Sequence, residues 1–387
     1  MGQVPSYLLE SFVEPWYRSL TDPEGSQRHA LEALLKGYAR TEYGQRFGAA
    51  VVNSPESYTV SFPVCSYVSL KPVIDEVLGG RESALVPEKV VRWVMTRGST
   101  GRPKLIPATE TFLSSILSLG ARAIVNFALG KKPSVLTRGV INLNFPSEVG
   151  NITSSAGSGP YGYSSGTYAK LNPGLGLARL MPRQEEIDAL GPGISRADWE
   201  KRFELVYDRA RGEDIGCVMG VTPVILAFAG YLQRKHSELP RKLWPLDAIF
   251  CTSVSKIQTK YSPQLRHYFG EVPVVEMYTA TEGVFAQQMD DLPYVRPNYD
   301  AYFFEVRAGG TVKGLHQLRR GEWGSLIVST PIFPRYEIGD LIEAQGKDYY
   351  RVIGRARRLV STEHILFSVL TGRLPLRRRR PSSSGEG

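Results

Sequence analysis

Short apolar segments that alternate with helical segments constrain the fold of this chain more than any other feature of its sequence. The predicted strands before residue 300 are 89–96, 139–145, 214–221, 246–253 and 272–279. Stretches with helical periodicity separate several of them, including one at 109–130 that predicts a long, mostly buried helix. After residue 300 the strands follow one another closely. This order predicts an α/β fold with mainly parallel sheets flanked by helices, and a β-rich segment after residue 300.

The segments between the predicted strands contain two further features. Residues 26–48 show apolar residues at helical spacing, and Ser26 is a plausible N-cap for this helix. Residues 150–168 are rich in Gly, Ser and Tyr, which predicts a loop.

The net charge of +9 does not indicate a nucleic-acid-binding protein, because most of it comes from one end of the chain. Residues 355–387 contain eight arginines and two glutamates and therefore supply +6, while the remaining residues carry +3. Such a basic run is usually a solvated, disordered tail. We therefore expect no specific nucleic-acid partner.

The cysteines and the hydropathy pattern favour a cytoplasmic protein. Cys65, Cys217 and Cys251 are far apart and lie in apolar surroundings, which is typical of buried thiols in a reducing compartment. We see no secretory leader and no apolar run near the ~18 residues that span a bilayer, so we expect no membrane partner.

Residues 96–104 form the first of three loops that could bind a phosphorylated ligand at the carboxyl end of a strand. Gly98 and Gly101 would allow close approach of an anion, Ser99 and Thr100 offer hydroxyl donors, and Lys104 adds a positive charge. The spacing is not that of a Walker loop. An ordinary turn with a surface lysine is the alternative.

The second and third loops add groups suited to a nucleotide and its metal. After an apolar strand, Tyr278 could stack on a base, Thr281 could contact a phosphate, and Glu282 could hold Mg²⁺. Farther along, Gly339 gives a turn, and Asp340 is a carboxylate at a strand end that could bind ribose hydroxyls. A polar strand terminus and a tight hairpin with a surface aspartate are the respective alternatives.

In their order and separation, the motifs "GSTGRPK", "YTATEG" and "YEIGD" resemble the three signature loops of the acyl-adenylate-forming superfamily. Arg97 departs from the Ser or Thr that is usual there. The segments 62–80, 250–256 and 333–340 look like those of a narrower group, the plant auxin-responsive acyl acid–amido synthetases of the Gretchen Hagen family. The likeness runs from about residue 40 to about 365 and is loose over 150–240.

The resemblance implies a two-step ligase. ATP with Mg²⁺ and a carboxylic acid would give an acyl adenylate and pyrophosphate, and an amine, typically an amino acid, would then form an amide. Adenylation is mostly positioning and charge neutralisation, and it needs no nucleophilic side chain.

The resemblance also implies roles for individual residues. Lys104, Glu282 and Arg355 would be the catalytic residues, with Glu282 the ligand of the metal. The residues that it implies for binding the nucleotide are Ser99, Thr100, Gly101, Tyr278, Thr281 and Asp340. Because Lys104 and Glu282 lie in polar loops, we expect both at the surface.

Residues 1–354 are predicted to form the adenylation domain, which binds ATP and the acyl group, and 355–387 a truncated hinge with a basic tail. The family's C-terminal lid domain has no counterpart after about residue 364, which leaves three explanations open: a partner supplies the lid, the activity is reduced, or the reading frame is broken. Two alternatives stay open: an acid–thiol ligase that uses coenzyme A, and a non-catalytic nucleotide binder.

Overall fold

The computed structural model describes residues 5–96, 103–154, 157–171 and 179–356. Its α-helices are α1 Ser6–Thr21, α2 Pro23–Tyr38, α3 Glu42–Arg46, α4 Pro55–Ser61, α5 Tyr67–Leu78, α6 Glu110–Gly130, α7 Ser164–Leu171, α8 Gln184–Asp188, α9 Arg196–Ala210, α10 Thr222–His236, α11 Pro240–Leu243 and α12 Ser262–Phe269.

The strands occupy the remaining regular segments of the described residues. They are β1 Val90–Met95, β2 Leu105–Thr109, β3 Gly139–Asn142, β4 Gly150–Ser154, β5 Gly157–Tyr163, β6 Leu180–Met181, β7 Ile215–Val221, β8 Ala248–Thr252, β9 Val274–Ala280, β10 Gly283–Gln287, β11 Arg296–Pro297, β12 Phe303–Ala308, β13 Thr311–Gly314, β14 Trp323–Ser329, β15 Tyr336–Gly346 and β16 Tyr349–Arg355.

A seven-stranded sheet in the order β11-β10-β9-β8-β7-β3-β6 is the centre of the fold. The run β9-β8-β7-β3-β6 is parallel, whereas β10 and β11 pair antiparallel. The predicted strands at 139–145, 214–221, 246–253 and 272–279 are β3, β7, β8 and β9, and the predicted long helix is α6. The α/β prediction is therefore confirmed, and the mainly parallel arrangement is that of this central sheet.

Helices cover both faces of the central sheet because its strands are apolar on both sides. Ile249 packs with α9, α10 and α12 on one face. The flanking residues Ala248 and Phe250 pack with α1 and α6 on the other, as the two-residue period of a strand requires.

Two smaller sheets complete the architecture. The order β2-β1-β5-β4 is mixed, with β1 and β5 parallel. The order β13-β12-β14-β15-β16 is antiparallel throughout and is the predicted β-rich segment. Side chains from β1, β2, β10, β12, β14 and β15 share one core, so this core joins the three sheets.

Three sequence predictions about this part of the fold are wrong. The helix predicted from Ser26 begins at Pro23, and its cap is Asp22, whose carboxylate accepts from the Gly25 backbone N–H. The segment 150–168 contains the β4–β5 hairpin and the start of α7 rather than a loop. One helix, α6, is long and apolar enough to cross a bilayer by composition alone, but its apolar residues pack in the protein core.

Candidate functional site

A two-residue turn of Thr281 and Glu282 joins β9 to β10 at the carboxyl end of the central sheet. Glycine is required at position 283, because a Cβ there would meet the Phe285 ring at 2.6 Å. The Glu282 side chain points inward and is only 4% exposed. The expectation of a surface carboxylate is therefore wrong, because a tight turn between two buried strands directs this side chain into the protein.

Strand β15 contributes the motif residues of the third loop. Tyr336, Ile338 and Asp340 alternate with more exposed residues and share the buried face of the strand. Gly339 has a φ of +87°, and the strand continues through it to Gly346. The sequence prediction of a turn with Asp340 at a strand end is thus wrong: Asp340 lies inside a long, irregularly paired strand and is 5% exposed.

Lys104, Tyr336 and Glu282 come together from three separate motifs. The Lys104 Nζ donates to the Tyr336 hydroxyl at 3.0 Å, and this hydroxyl donates to Glu282 Oε1 at 3.1 Å. The Lys104 Nζ and Glu282 Oε1 are 4.0 Å apart. Burial, followed by the charge of Glu282, raises the pKa of Tyr336 well above its ordinary value, so the phenol keeps its proton and remains a donor.

Tyr67 fixes the segment that carries Lys104. Its hydroxyl donates to the Leu105 carbonyl at 3.2 Å and accepts from the Leu105 backbone N–H at 3.0 Å. The Lys104 Nζ lies 5.3 Å from the Tyr67 ring centroid and 5.7 Å from that of Tyr336, within range of a cation–π interaction. The ammonium is therefore held between two aromatic rings at the start of β2.

A second group forms around Asp340. Its Oδ2 accepts from the Tyr278 hydroxyl at 2.7 Å, and its Oδ1 forms an ion pair with the Arg355 guanidinium. Arg355 lies opposite Asp340 in the β15–β16 register. Burial and the Asp340 charge raise the pKa of Tyr278 well above its ordinary value, which keeps that hydroxyl protonated as a donor. The carboxylate is thus oriented from two sides.

Helix α7 contacts the turn after β9. Ser164 Oγ and Thr281 Oγ1 are 3.2 Å apart, and the Tyr168 hydroxyl donates to the Thr281 carbonyl at 2.9 Å. These contacts place the Tyr- and Ser-rich segment predicted as a loop directly against Thr281.

Of the residues predicted for the site, the structure brings Lys104 and Glu282 into one group and Tyr278, Asp340 and Arg355 into another. Ser99, Thr100 and Gly101 lie outside the described residues. Tyr336, Tyr67, Ser164 and Tyr168 were missed. Tyr336 stood in the "YEIGD" motif itself, so it could have been found, whereas nothing near Tyr67 in the sequence marks its contact with Leu105.

A family model described as the GH3 family N-terminal domain matches residues 16–181. The 4-substituted benzoates-glutamate ligase GH3.12 of Arabidopsis thaliana is 22% identical over 408 residues, which cover 88% of this chain and 70% of that protein. Residues 16–181 are thus similar to the N-terminal domain of the GH3 family. The resemblance read from the three motifs is therefore confirmed.

Other GH3 relatives match over shorter stretches. The jasmonoyl–L-amino acid synthetase GH3.5 of Oryza sativa subsp. japonica is 30% identical over 95 residues, and the match covers 24% of this chain and 16% of that protein. The probable indole-3-acetic acid-amido synthetase GH3.13 of the same organism is 32% identical over 107 residues, or 24% of this chain and 23% of that protein.

Solved structures confirm the fold. The acyl acid amido synthetase AtGH3.15, solved in complex with 2,4-DB, matches with a TM-score of 0.74 at 15% identity, over 93% of this chain and 73% of that one. A 2-hydroxyisobutyryl-CoA ligase in the postadenylation state matches with a TM-score of 0.63 at 12% identity, over 87% and 68%. The chain thus has the fold of the N-terminal part of these ligases.

Proposed function

We propose that this chain activates a carboxylic acid as its acyl adenylate at the expense of ATP, as the first half-reaction of an acyl acid–amido synthetase. One observation carries the proposal: β15 is bonded to both other motif segments. Tyr336 contacts Lys104 and Glu282, and Asp340 contacts Tyr278. Groups suited to a ribose, a phosphate chain and a divalent cation therefore adjoin at one edge of the central sheet, where ligands of open α/β sheets bind.

The Asp340 group would hold the nucleoside. Its carboxylate, oriented by Tyr278 and Arg355, would accept hydrogen bonds from the ribose hydroxyls, and charged acceptors make the stronger hydrogen bonds. The Tyr278 ring would lie against adenine, and Arg355 would contact ribose or phosphate.

The Lys104 group would hold the phosphates and the metal, with Ser99, Thr100 and Gly101 on the adjoining loop. Magnesium ordinarily takes one or two carboxylates together with phosphates and waters, and the inward Glu282 carboxylate fits that donor set. Bound there, Mg²⁺ would neutralise charge on the phosphates. Lys104 and Thr281 would stabilise the charge that develops at the α-phosphorus when the substrate carboxylate displaces pyrophosphate.

An amino acid is the acceptor that we propose for the second half-reaction. The names of the relatives include a jasmonoyl–amino acid synthetase, an indole-3-acetic acid-amido synthetase and a benzoates-glutamate ligase, and they support a small carboxylic acid as the first substrate. Helix α7 and β5 would form a wall of the acyl site, because Ser164 and Tyr168 adjoin Thr281.

We assign the binding of ATP and of the acyl group to residues 1–354. The three buried thiols support a reducing, cytoplasmic location for the protein.

Product analysis separates amide formation from thioester formation. The chain is incubated with ATP, Mg²⁺ and a panel of aromatic and aliphatic acids, with either mixed amino acids or coenzyme A as acceptor. We expect AMP together with an amide. Thioester without amide would assign the chain to the acid–thiol ligases, and nucleotide binding without AMP formation from any acid would make it a non-catalytic binder.

A further inference from the structure

Helix α7 contacts both the side chain and the backbone of Thr281. The Ser164 hydroxyl lies 3.2 Å from the Thr281 hydroxyl, and the Tyr168 hydroxyl donates to the Thr281 carbonyl at 2.9 Å. Ser164 and Tyr168 are four residues apart on one helix, so their side chains leave the same face of α7. One element of the fold therefore holds Thr281 at two points.

The position of α7 is set by close contacts that do not involve Thr281. Gly166 on this helix is buried, and a Cβ there would meet the Phe145 carbonyl oxygen at 1.9 Å. Gly162, two residues before the helix, is packed as closely, because a Cβ there would lie 2.0 Å from the Ser147 carbonyl oxygen. The helix is thus anchored to the segment after β3 and provides a rigid support for its two hydroxyls.

The direction of one hydrogen bond decides what Thr281 can offer a ligand. A hydroxyl has one proton to donate and two lone pairs, so only one of the two hydroxyls donates in the contact between Ser164 and Thr281. If Thr281 donated, its lone pairs would face a phosphate, which is itself an acceptor. If Ser164 donates, the Thr281 proton can be directed at the phosphate.

We infer that Ser164 is a positioning residue for adenylation: its hydroxyl donates to Thr281 Oγ1, so that the Thr281 hydroxyl directs its own proton at the α-phosphate. This inference rests on the proposed function. Ser164 acts through Thr281 and not by its own contact with the nucleotide. A donor that is oriented before the reaction stabilises the charge that develops on the phosphate oxygens without reorganisation. The main effect of Ser164 should therefore be on kcat and not on KM.

Ser164→Ala tests the inference through acid-dependent exchange of labelled pyrophosphate into ATP. We expect kcat to fall about tenfold, which is the size of one hydrogen bond of ordinary strength. The KM for ATP should stay within about twofold of the parent value. Ser164→Thr keeps the hydroxyl and should retain at least about half of the parent kcat. An unchanged kcat in Ser164→Ala, or an equal loss in Ser164→Thr, would overturn the inference.

Ser134→Ala is the matched control. The Ser134 hydroxyl donates to Asp247 at 2.9 Å, just before β8 begins, which is the opposite edge of the central sheet from Thr281. This variant also loses one hydrogen bond between side chains, and it should exchange at the parent rate. All of these proteins should melt within a few degrees of one another. A comparable fall of kcat in Ser134→Ala would show a general effect of such losses and contradict the role of Ser164.

A second background tests whether Ser164 acts through the Thr281 hydroxyl. Thr281→Val removes that hydroxyl, so adding Ser164→Ala should change the remaining kcat by less than about twofold. A further tenfold loss would show that Ser164 acts on another group; the inference would then fail and the proposed function would stand. If the parent exchanges with no acid, the proposed function fails and this inference fails with it.

Discussion

Arg335 and Tyr336 are adjacent at the start of β15, but the charged groups that they contact differ in how far they are buried. Arg335 forms an ion pair with Glu305, and its guanidinium also donates to the Thr59 and Phe62 carbonyls. The two side chains are 5% and 2% exposed. Tyr336 instead contacts Lys104 and Glu282, of which the lysine is 29% exposed.

The difference shows that one residue can belong to a charge pair that stabilises the fold while its neighbour contacts a pair suited to binding a ligand. The Arg335 guanidinium is surrounded by acceptors within the protein, so nothing is left to recruit a ligand. Lys104 and Glu282 both contact the Tyr336 hydroxyl, and the Lys104 side chain is partly exposed. Buried charge therefore does not by itself indicate a functional site; a charge pair with one partly exposed member is the better indicator.

Removal of the structural arginine should give the largest effect on stability. Arg335→Ala leaves the Glu305 carboxylate buried without its partner, and breaking a buried pair in this way costs about 3–5 kcal/mol in unfolding free energy. Chemical denaturation measures it. The control is Arg307→Ala, which breaks a partly exposed pair with Glu337 and should cost no more than about 1 kcal/mol. Equal losses in both variants would contradict the structural role of Arg335.

Asp340→Ala should weaken ATP binding through the ribose. A hydrogen bond to a charged group contributes about 1.5–3 kcal/mol, so we expect at least a tenfold higher Kd by calorimetry. The control is chemical: the parent and the variant are compared with ATP and with 2′,3′-dideoxy-ATP. The variant should no longer distinguish the two nucleotides. A variant that still prefers ATP would show that the ribose lies elsewhere.

Glu276 represents a third way of burying a carboxyl group, and its substitution should change the pH dependence of stability. Burial raises the pKa of Glu276 to about 7. Between about pH 5 and pH 7, the folded chain therefore keeps a proton on Glu276 that the unfolded chain has released. Stability from this group is therefore lost as pH rises from about 5 through 7, by at most about 3 kcal/mol.

Glu276→Gln should flatten that part of the profile, as measured by denaturation between pH 5 and 8. The surface variant Glu271→Gln should follow the parent. If the parent and Glu276→Gln lose stability in parallel with rising pH, Glu276 is not the group responsible.

Much of the fold was predictable because the central sheet is buried on both faces. Continuous apolar strands such as β7 and β8 give a strong signal. The hairpin and helix at 150–171 were not predictable from pattern, since Gly, Ser and Tyr have weak helix propensity. Their structure depends on tertiary contacts such as those with Thr281.

The motif residues of the site were predictable, but their surroundings were not. Residues in polar loops are usually exposed, so Glu282 was expected at the surface, and Asp340 was expected at a strand end. Both are buried beside partners that are distant in sequence, Tyr336 for Glu282 and Tyr278 for Asp340. Tyr67 and Tyr336 are 37 or more residues away from Lys104 in the sequence. No local pattern marks these contacts, so sequence patterns alone could not assign the two tyrosines to the site.

The central claim is that the Lys104–Glu282 group serves adenylation rather than folding. Acid-dependent exchange of labelled pyrophosphate into ATP tests it most directly, in the parent, in Lys104→Ala and in the control Lys71→Ala, whose lysine forms an exposed pair with Asp75. We predict that at least one acid in the panel supports exchange by the parent, that Lys104→Ala loses about 10²–10³-fold of this rate, and that all three proteins melt within a few degrees of one another. Exchange by Lys104→Ala at the parent rate, or a folded parent that exchanges with no acid, would contradict the account.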